Sequence, residues 1–122
     1  AFSQDSTQKS GAVGAAQGSK IKKIYDLALK TGAPVVGIYD SNGAAVEEGL
    51  DAMAAYGEML CWSNNLSGVV PQISLVLGVC AGSAALIAAS ADFVVMSEKA
   101  EFFLTTGDVD SASDAANAAK SG

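Results

Sequence analysis

The stretch PQISLVLGVCAGSAALIAASADFVVM, residues 71–96, decides the fold class. Pro71 precedes a short apolar run, Gln72 to Leu77, which predicts a buried strand. Gly78-Val79-Cys80-Ala81-Gly82-Ser83 predicts a tight turn, followed by a short Ala-rich helix through Ala89. Asp92 to Met96 predicts another strand. Strand, turn, helix and strand in that order form a crossover unit, so the sheet is expected to be largely parallel with right-handed connections.

The same pattern stands upstream. Pro34-Val35-Val36-Gly37-Ile38-Tyr39 reads as a strand, and Asp40-Ser41-Asn42-Gly43-Ala44-Ala45 as a glycine-containing turn. A helix over roughly 46–65 comes next, with Glu47 and Glu48 at its positive end and Leu50, Met53, Ala54, Gly57, Leu60 and Cys61 as its apolar stripe. Asn64, Asn65, Ser67 and Gly68 end it. Nearer the start, Ala1-Phe2-Ser3 is strand-like and leads through a polar loop to a helix over Ala15–Lys30. That helix carries Ile21, Ile24, Tyr25, Leu27 and Ala28 at helical spacing, Gly32 as its C-cap and Pro34 as its stop. Downstream, Ser97 to Ala100 reads as a turn and Glu101 to Leu104 as a strand; after Gly107 the pattern stops. Met53, Met59, Phe93 and Phe102 are expected in the core, and no internal repeat is visible.

Composition narrows the chemistry. The 122 residues carry 7 basic and 13 acidic side chains, a net charge of −6, with no His; every basic residue is Lys. Half the residues are hydrophobic and only 16% are charged, which argues against disorder. An acidic chain is a poor partner for nucleic acid or anionic membrane, and no apolar stretch is long enough to span a bilayer. Without His, Ser-His-Asp and Cys-His catalysis and His-ligated metal sites are excluded within this chain, and no metal is expected. Cys61 and Cys80 sit in apolar surroundings and read as reduced thiols rather than a disulfide framework. A chain of this length holds at most one domain, and the absence of a starting Met leads to the expectation of a longer polypeptide.

The glycine turns are where chemistry remains available. In open α/β sheets ligands bind at the carboxyl ends of strands, where backbone N–H groups stand unpaired before a helix. Asn42-Gly43-Ala44 and Ala81-Gly82-Ser83 are each able to aim an amide at an anionic oxygen. Two converging amides make an oxyanion hole, which needs no ionisable side chain. For either turn taken alone, ordinary turn geometry is the better explanation.

Residues 14–107 resemble the amino-terminal half of the biotin-dependent acyl-CoA carboxyltransferase β-subunit family, the propionyl-CoA and acetyl-CoA carboxylase type, of the crotonase superfamily. The matching stretches are KIKKIYDLALKTGAPVVGIYDSNGA, EEGLDAMAAYGEML, SGVVPQISLVLG, CAGSAALIAASADFVVM and FFLTTG, in the family's order and spacing. The resemblance implies an α/β fold, a crotonase-like spiral of ββα units, incomplete in this chain. It assigns residues 1–107 to part of the amino-terminal carboxyltransferase domain and leaves 108–122 as a polar, Ala-rich tail. It implies transfer of a carboxyl group between carboxybiotin and an acyl-CoA through an enolate. Gly82 and Ser83, with Gly43 and Ala44, correspond to the backbone amides of the oxyanion holes. Ala81 and Asn42 fall in the same turns and count with them as cofactor-binding, and Lys20 and Lys23 are candidate contacts for CoA phosphates. The family's Gly-Gly-Ala-Arg is Asn42-Gly43-Ala44-Ala45 here, and its Gly-Gly-Ala is Gly82-Ser83-Ala84.

The resemblance also implies partners: a biotinylated carrier protein, a biotin carboxylase subunit and further copies of the chain, in the cytoplasm or the mitochondrial matrix. Other readings stay open on the residues themselves. They are another crotonase-type acyl-CoA enzyme, such as a hydratase or decarboxylase, and a non-catalytic scaffold of the same fold. Ser83 with Lys99 would make a serine-lysine hydrolase, the least supported of these. Cys80 reads as small-residue packing and Cys61, beside Trp62, as core or interface. Glu47 and Glu48 suit a helix start better than acid–base catalysis, and Lys20, Lys22 and Lys23 suit a solvated helix face.

Overall fold

The computed structural model describes residues 1–7, 11–41 and 48–104. Among the described residues, five strands and three helices run in the order β1 (Phe2–Ser3), α1 (Ala15–Thr31), β2 (Val35–Ser41), α2 (Leu50–Leu66), β3 (Gln72–Ala81), α3 (Ser83–Ala89), β4 (Phe93–Met96) and β5 (Glu101–Phe103). Every strand pairing is parallel. β1, β2, β3 and β4 lie side by side in chain order, and β5 joins the sheet through β3. α1 packs against α2 and α2 against α3, so the helices form one layer on one face of the sheet.

That face holds the core. In β2 alternate residues are buried, Val35, Gly37, Tyr39 and Ser41, as a one-sided sheet requires. Phe2 meets Tyr25 and Tyr39 edge to face, with ring centroids 6.0 and 5.7 Å apart. The other face carries Val36, Ile38, Ile73 and Leu75, which are half-buried. Phe93 and Val95, in register with Ile73 and Leu75 on the edge strand, are exposed.

α1 behaves as its spacing predicts. Gly18, Ile21, Tyr25 and Ala28 face inward, and Gly32, at φ 69°, closes the helix by donating its N–H to the Ala28 carbonyl. Gly18 lets α1 approach α2: a Cβ there would stand 2.8 Å from the Cβ of Ala55.

Four expectations are corrected. The buried face of α2 is Ala52, Ala55, Tyr56, Met59, Ser63 and Leu66, not the stripe through Leu50 and Met53, which are 83% and 67% exposed. The helix is apolar on two faces, and the polar Ser63 sits on the one that is buried, so hydropathy alone selects the wrong face. Met59 is core as expected and Phe102 packs against the core, but Met53 and Phe93 are exposed. Gly78 to Ala81 is strand rather than turn, because Val79, Cys80 and Ala81 pair with Glu101, Phe102 and Phe103 of β5. Finally, Glu48 does not open α2, which begins at Leu50 after Gly49 turns the chain at φ 54°.

Instead the Glu48 carboxylate caps α1: its Oε2 accepts the Ala15 N–H at 2.8 Å. Gly14 admits this contact, since a Cβ there would fall on the carboxylate. The cap lies 33 residues away in sequence, where local capping rules do not look. Replacing Glu48 by Ala is expected to cost about 1 kcal/mol, the usual worth of a helix cap. A urea unfolding midpoint that stays at its wild-type value would contradict this assignment.

Candidate functional site

The carboxyl ends of β2 and β3 lie level, with Ser41 in register with Cys80. One of the two glycine-containing segments follows each strand in sequence. The first, with Asn42, Gly43 and Ala44, lies outside the described residues, as do Ala45, Glu47 and the 108–122 tail. The second is fully described. Gly82 takes φ 62° and ψ −130°, a conformation that favours glycine, and Ser83 is the first residue of α3. The unusual φ therefore falls on the glycine, and Ser83 keeps a helical backbone.

The amides of this turn differ in what they do. The Gly82 N–H donates to the Phe103 carbonyl at 3.0 Å, continuing the β3–β5 pairing, while its own carbonyl accepts from Ala85 at 3.0 Å. The Ser83 amide belongs to the first turn of α3, where the helical ladder offers no acceptor. Gly82 thus sets the geometry, and Ser83 carries the amide left outside the ladder. Ala81 is buried at the end of β3, so its side chain is part of the core.

Beside Ser83 runs an open groove of about 150 Å³, lined by Met53, Tyr56, Gly57, Leu60, Leu86 and Ile87. Met53, Gly57 and Leu60 are residues that the sequence assigns to the core stripe of α2; in the fold they wall a groove. Burial pushes the Tyr56 phenol up to about 12, so it stays neutral at physiological pH.

Lys20 and Lys23 are exposed on α1, and neither forms an ion pair with a described residue. Lys22, between them, bridges to Glu58 at 3.3 Å and lies 5.8 Å from the centre of the Trp62 ring. Among the described residues no cluster of ligating side chains is arranged to hold a metal ion, and no helix is long and apolar enough to cross a membrane. Cys80 is fully buried and Cys61 is exposed, which removes the core alternative for Cys61 and leaves the interface one.

The chain belongs to the carboxyl transferase domain family, whose model matches residues 1–113. It is 46% identical over 106 residues to the propionyl-CoA carboxylase beta chain of Roseobacter denitrificans, covering 87% of this chain and 21% of that one. It is 47% identical over 107 residues to the methylmalonyl-CoA decarboxylase subunit alpha of Propionigenium modestum, covering 88% of this chain and 21% of the relative. Among solved structures, the transcarboxylase 12S hexamer with hydrolysed methylmalonyl-coenzyme A bound superposes with a TM-score of 0.83 at 42% identity, over 87% of this chain and 21% of that chain. A malonate decarboxylase hetero-tetramer from Pseudomonas, at 20% identity and a TM-score of 0.81, covers 86% of this chain and 41% of its own, and shares the fold. The fold is that of the crotonase-type carboxyltransferases, and the chain spans about a fifth of the length of the curated relatives it matches.

The two thiols separate in reactivity. Burial pushes the Cys80 thiol up to about 12, so it stays protonated. Iodoacetamide at pH 8 is expected to alkylate Cys61 and to spare Cys80 until denaturant is added, read by mass spectrometry of the two peptides. Cys80 and Tyr56 both ionise more readily when unfolded, so stability that is complete below about pH 9 should fall as pH rises toward 12. A Cys80 peptide alkylated at the same rate as the Cys61 peptide would contradict the burial.

Proposed function

We propose that these residues are part of the amino-terminal region of a biotin-dependent acyl-CoA carboxyltransferase. In this reading the Ser83 amide holds the oxygen of the acyl thioester. The membership in the carboxyl transferase domain family supports the reaction class. The observation that carries the role of Ser83 is the turn at Gly82, which takes its own N–H into the sheet and leaves that of Ser83 outside the ladder.

An amide so placed is rigid before the substrate arrives. When the α-proton of an acyl-CoA is removed, negative charge grows on the thioester oxygen, and a fixed N–H dipole stabilises it without reorganising. The groove along Met53, Leu60 and Leu86 presents apolar side chains beside Ser83. Carboxybiotin on a biotinylated carrier protein would supply the carboxyl group: its N–carboxyl bond would break as the carboxyl carbon bonds to the α-carbon, and the α-proton would end on the freed ureido nitrogen. Gly43 and Ala44, which follow the neighbouring strand in sequence, are assigned to the second oxyanion hole, with Asn42 and Ala81 counted beside them. Assembly with further copies of the chain and with a biotin carboxylase subunit belongs to the same reading.

The Ser83→Pro substitution tests the donor. It removes the amide hydrogen, and proline suits the first position of a helix, where its ring is tolerated. In the complete polypeptide carrying residues 1–122, Ser83→Pro is expected to lower kcat by about 10²–10³-fold, the usual cost of one oxyanion donor. Ser83→Ala keeps the amide and should retain activity, which also separates this role from that of a nucleophilic hydroxyl. Transfer that survives Ser83→Pro overturns the assignment.

Lys20 and Lys23 are assigned to the CoA phosphates on their exposure and freedom from described acidic partners. Reversing both to Glu should raise the KM for acyl-CoA several-fold at low salt and by less at high salt. An unchanged KM at both ionic strengths rejects the contact.

A further inference from the structure

The pairing of β2 with β3 contains a mismatch that centres on one residue. Tyr39 pairs with Val76, but Ser41 pairs with Cys80, so Leu77, Gly78 and Val79 all stand opposite Asp40. The half-buried Asp40 fills this interval with its carboxylate, whose Oδ1 accepts the Val79 N–H at 3.3 Å.

Two glycines make room for it. A Cβ on Gly78 would fall on the Asp40 carboxylate, and a Cβ on Gly11 would fall on the Asp40 main-chain oxygen. Gly11 also has φ 68°, a reason of its own to be glycine. Gly78 has no positive φ, so what its missing side chain provides is the space that the carboxylate occupies. Beyond the bulge β3 runs only through Cys80 and Ala81, pairs there with β5, and delivers Gly82 and Ser83. In sequence Asp40 is succeeded by Ser41, the last residue of β2.

We propose that Asp40 is a positioning residue: by bracing the β3 bulge from the end of β2, it fixes the place of the Ser83 amide at the end of β3. This rests on the reading of Ser83 as the oxyanion donor. The brace needs an acceptor oxygen and a side chain of that length, and it does not need the negative charge. Asn supplies both and Ala supplies neither.

The test uses the complete polypeptide and two readouts, carboxyl transfer to acyl-CoA and amide exchange at Val79. Asp40→Ala should lower kcat by about 10- to 100-fold, the scale on which misplaced catalytic groups act, with the KM for acyl-CoA little changed. Asp40→Asn should restore kcat to near the wild-type value, a rescue that a purely electrostatic role would not allow. Gly78→Ala should reproduce the loss, and the double variant should be no worse than Asp40→Ala alone, since both remove one contact. Exchange at Val79 should quicken in Asp40→Ala and stay slow in Asp40→Asn.

A folded Asp40→Ala variant with wild-type kcat overturns the inference, as does an Asp40→Asn variant as impaired as Asp40→Ala. If Asp40→Ala fails to fold, Gly78→Ala decides: reduced kcat upholds the brace and unchanged kcat overturns it. Failure of the Ser83 reading shows separately, as transfer that survives Ser83→Pro. Faster Val79 exchange in Asp40→Ala then still upholds the brace, and unchanged exchange overturns it.

Discussion

Tyr39 and Val76 are the last residues that β2 and β3 pair in simple register, and the bulge beyond them governs the functional end of the molecule. A parallel ladder that continued unbroken would carry both strands outward together. The extra residues of β3 bend it instead, so that its lower half pairs with β4 through Ile73–Val76 and its upper half with β5 through Val79–Ala81. One strand thus supports two short neighbours along the same edge. The Phe103 carbonyl is brought to the Gly82 amide only because β5 lies there. Bulges re-aim strands next to active sites, and here the re-aimed segment ends in the turn that presents Ser83.

The opposite end of the same strand is pinned as firmly, by polar groups that a hydropathy pattern passes over. Gln72 is buried, and its amide group exchanges two hydrogen bonds with Ser63 of α2: Ser63 Oγ donates to Gln72 Oε1 at 2.9 Å, and Gln72 Nε2 donates to the Ser63 carbonyl at 2.9 Å. The Gln72 main chain donates to Asp92 Oδ2 at 2.8 Å, and its carbonyl accepts the Asp92 N–H at 2.9 Å. A buried amide left unpaired costs more than the pair contributes, so these contacts select one docking of α2 and β4 on β3.

Local pattern carries much of this architecture. The spacing of Ile21, Tyr25 and Ala28 specifies α1, Gly32 its end, and the proline-led apolar runs specify β2 and the first half of β3. The Gly82 turn is legible as a place where the chain leaves a strand for a helix. What local pattern does not contain is a partner far away in the chain. The second half of β3 looks like a turn until β5, from well downstream, is placed beside it. On α2 the choice between two apolar faces depends on Ser63 meeting Gln72. The division of labour within the Gly82-Ser83 pair depends on the Phe103 carbonyl. The residues that wall the groove beside Ser83 read as core because an apolar side chain lining a site has the same signature as one buried in an interior.

The cap of α1 has a consequence for the order in which the chain acquires structure. α1 is 17 residues long, and the acceptor that completes its first turn is Glu48, which the ribosome adds after all of α1 and β2. Until then the leading amides of α1 have only water, so the nascent helix is frayed at its start while its glycine-capped end is already closed. The helix therefore becomes complete from its tail toward its head. The glutamate that completes it stands two residues before α2, so the head of the first helix can be closed before β3 has been made.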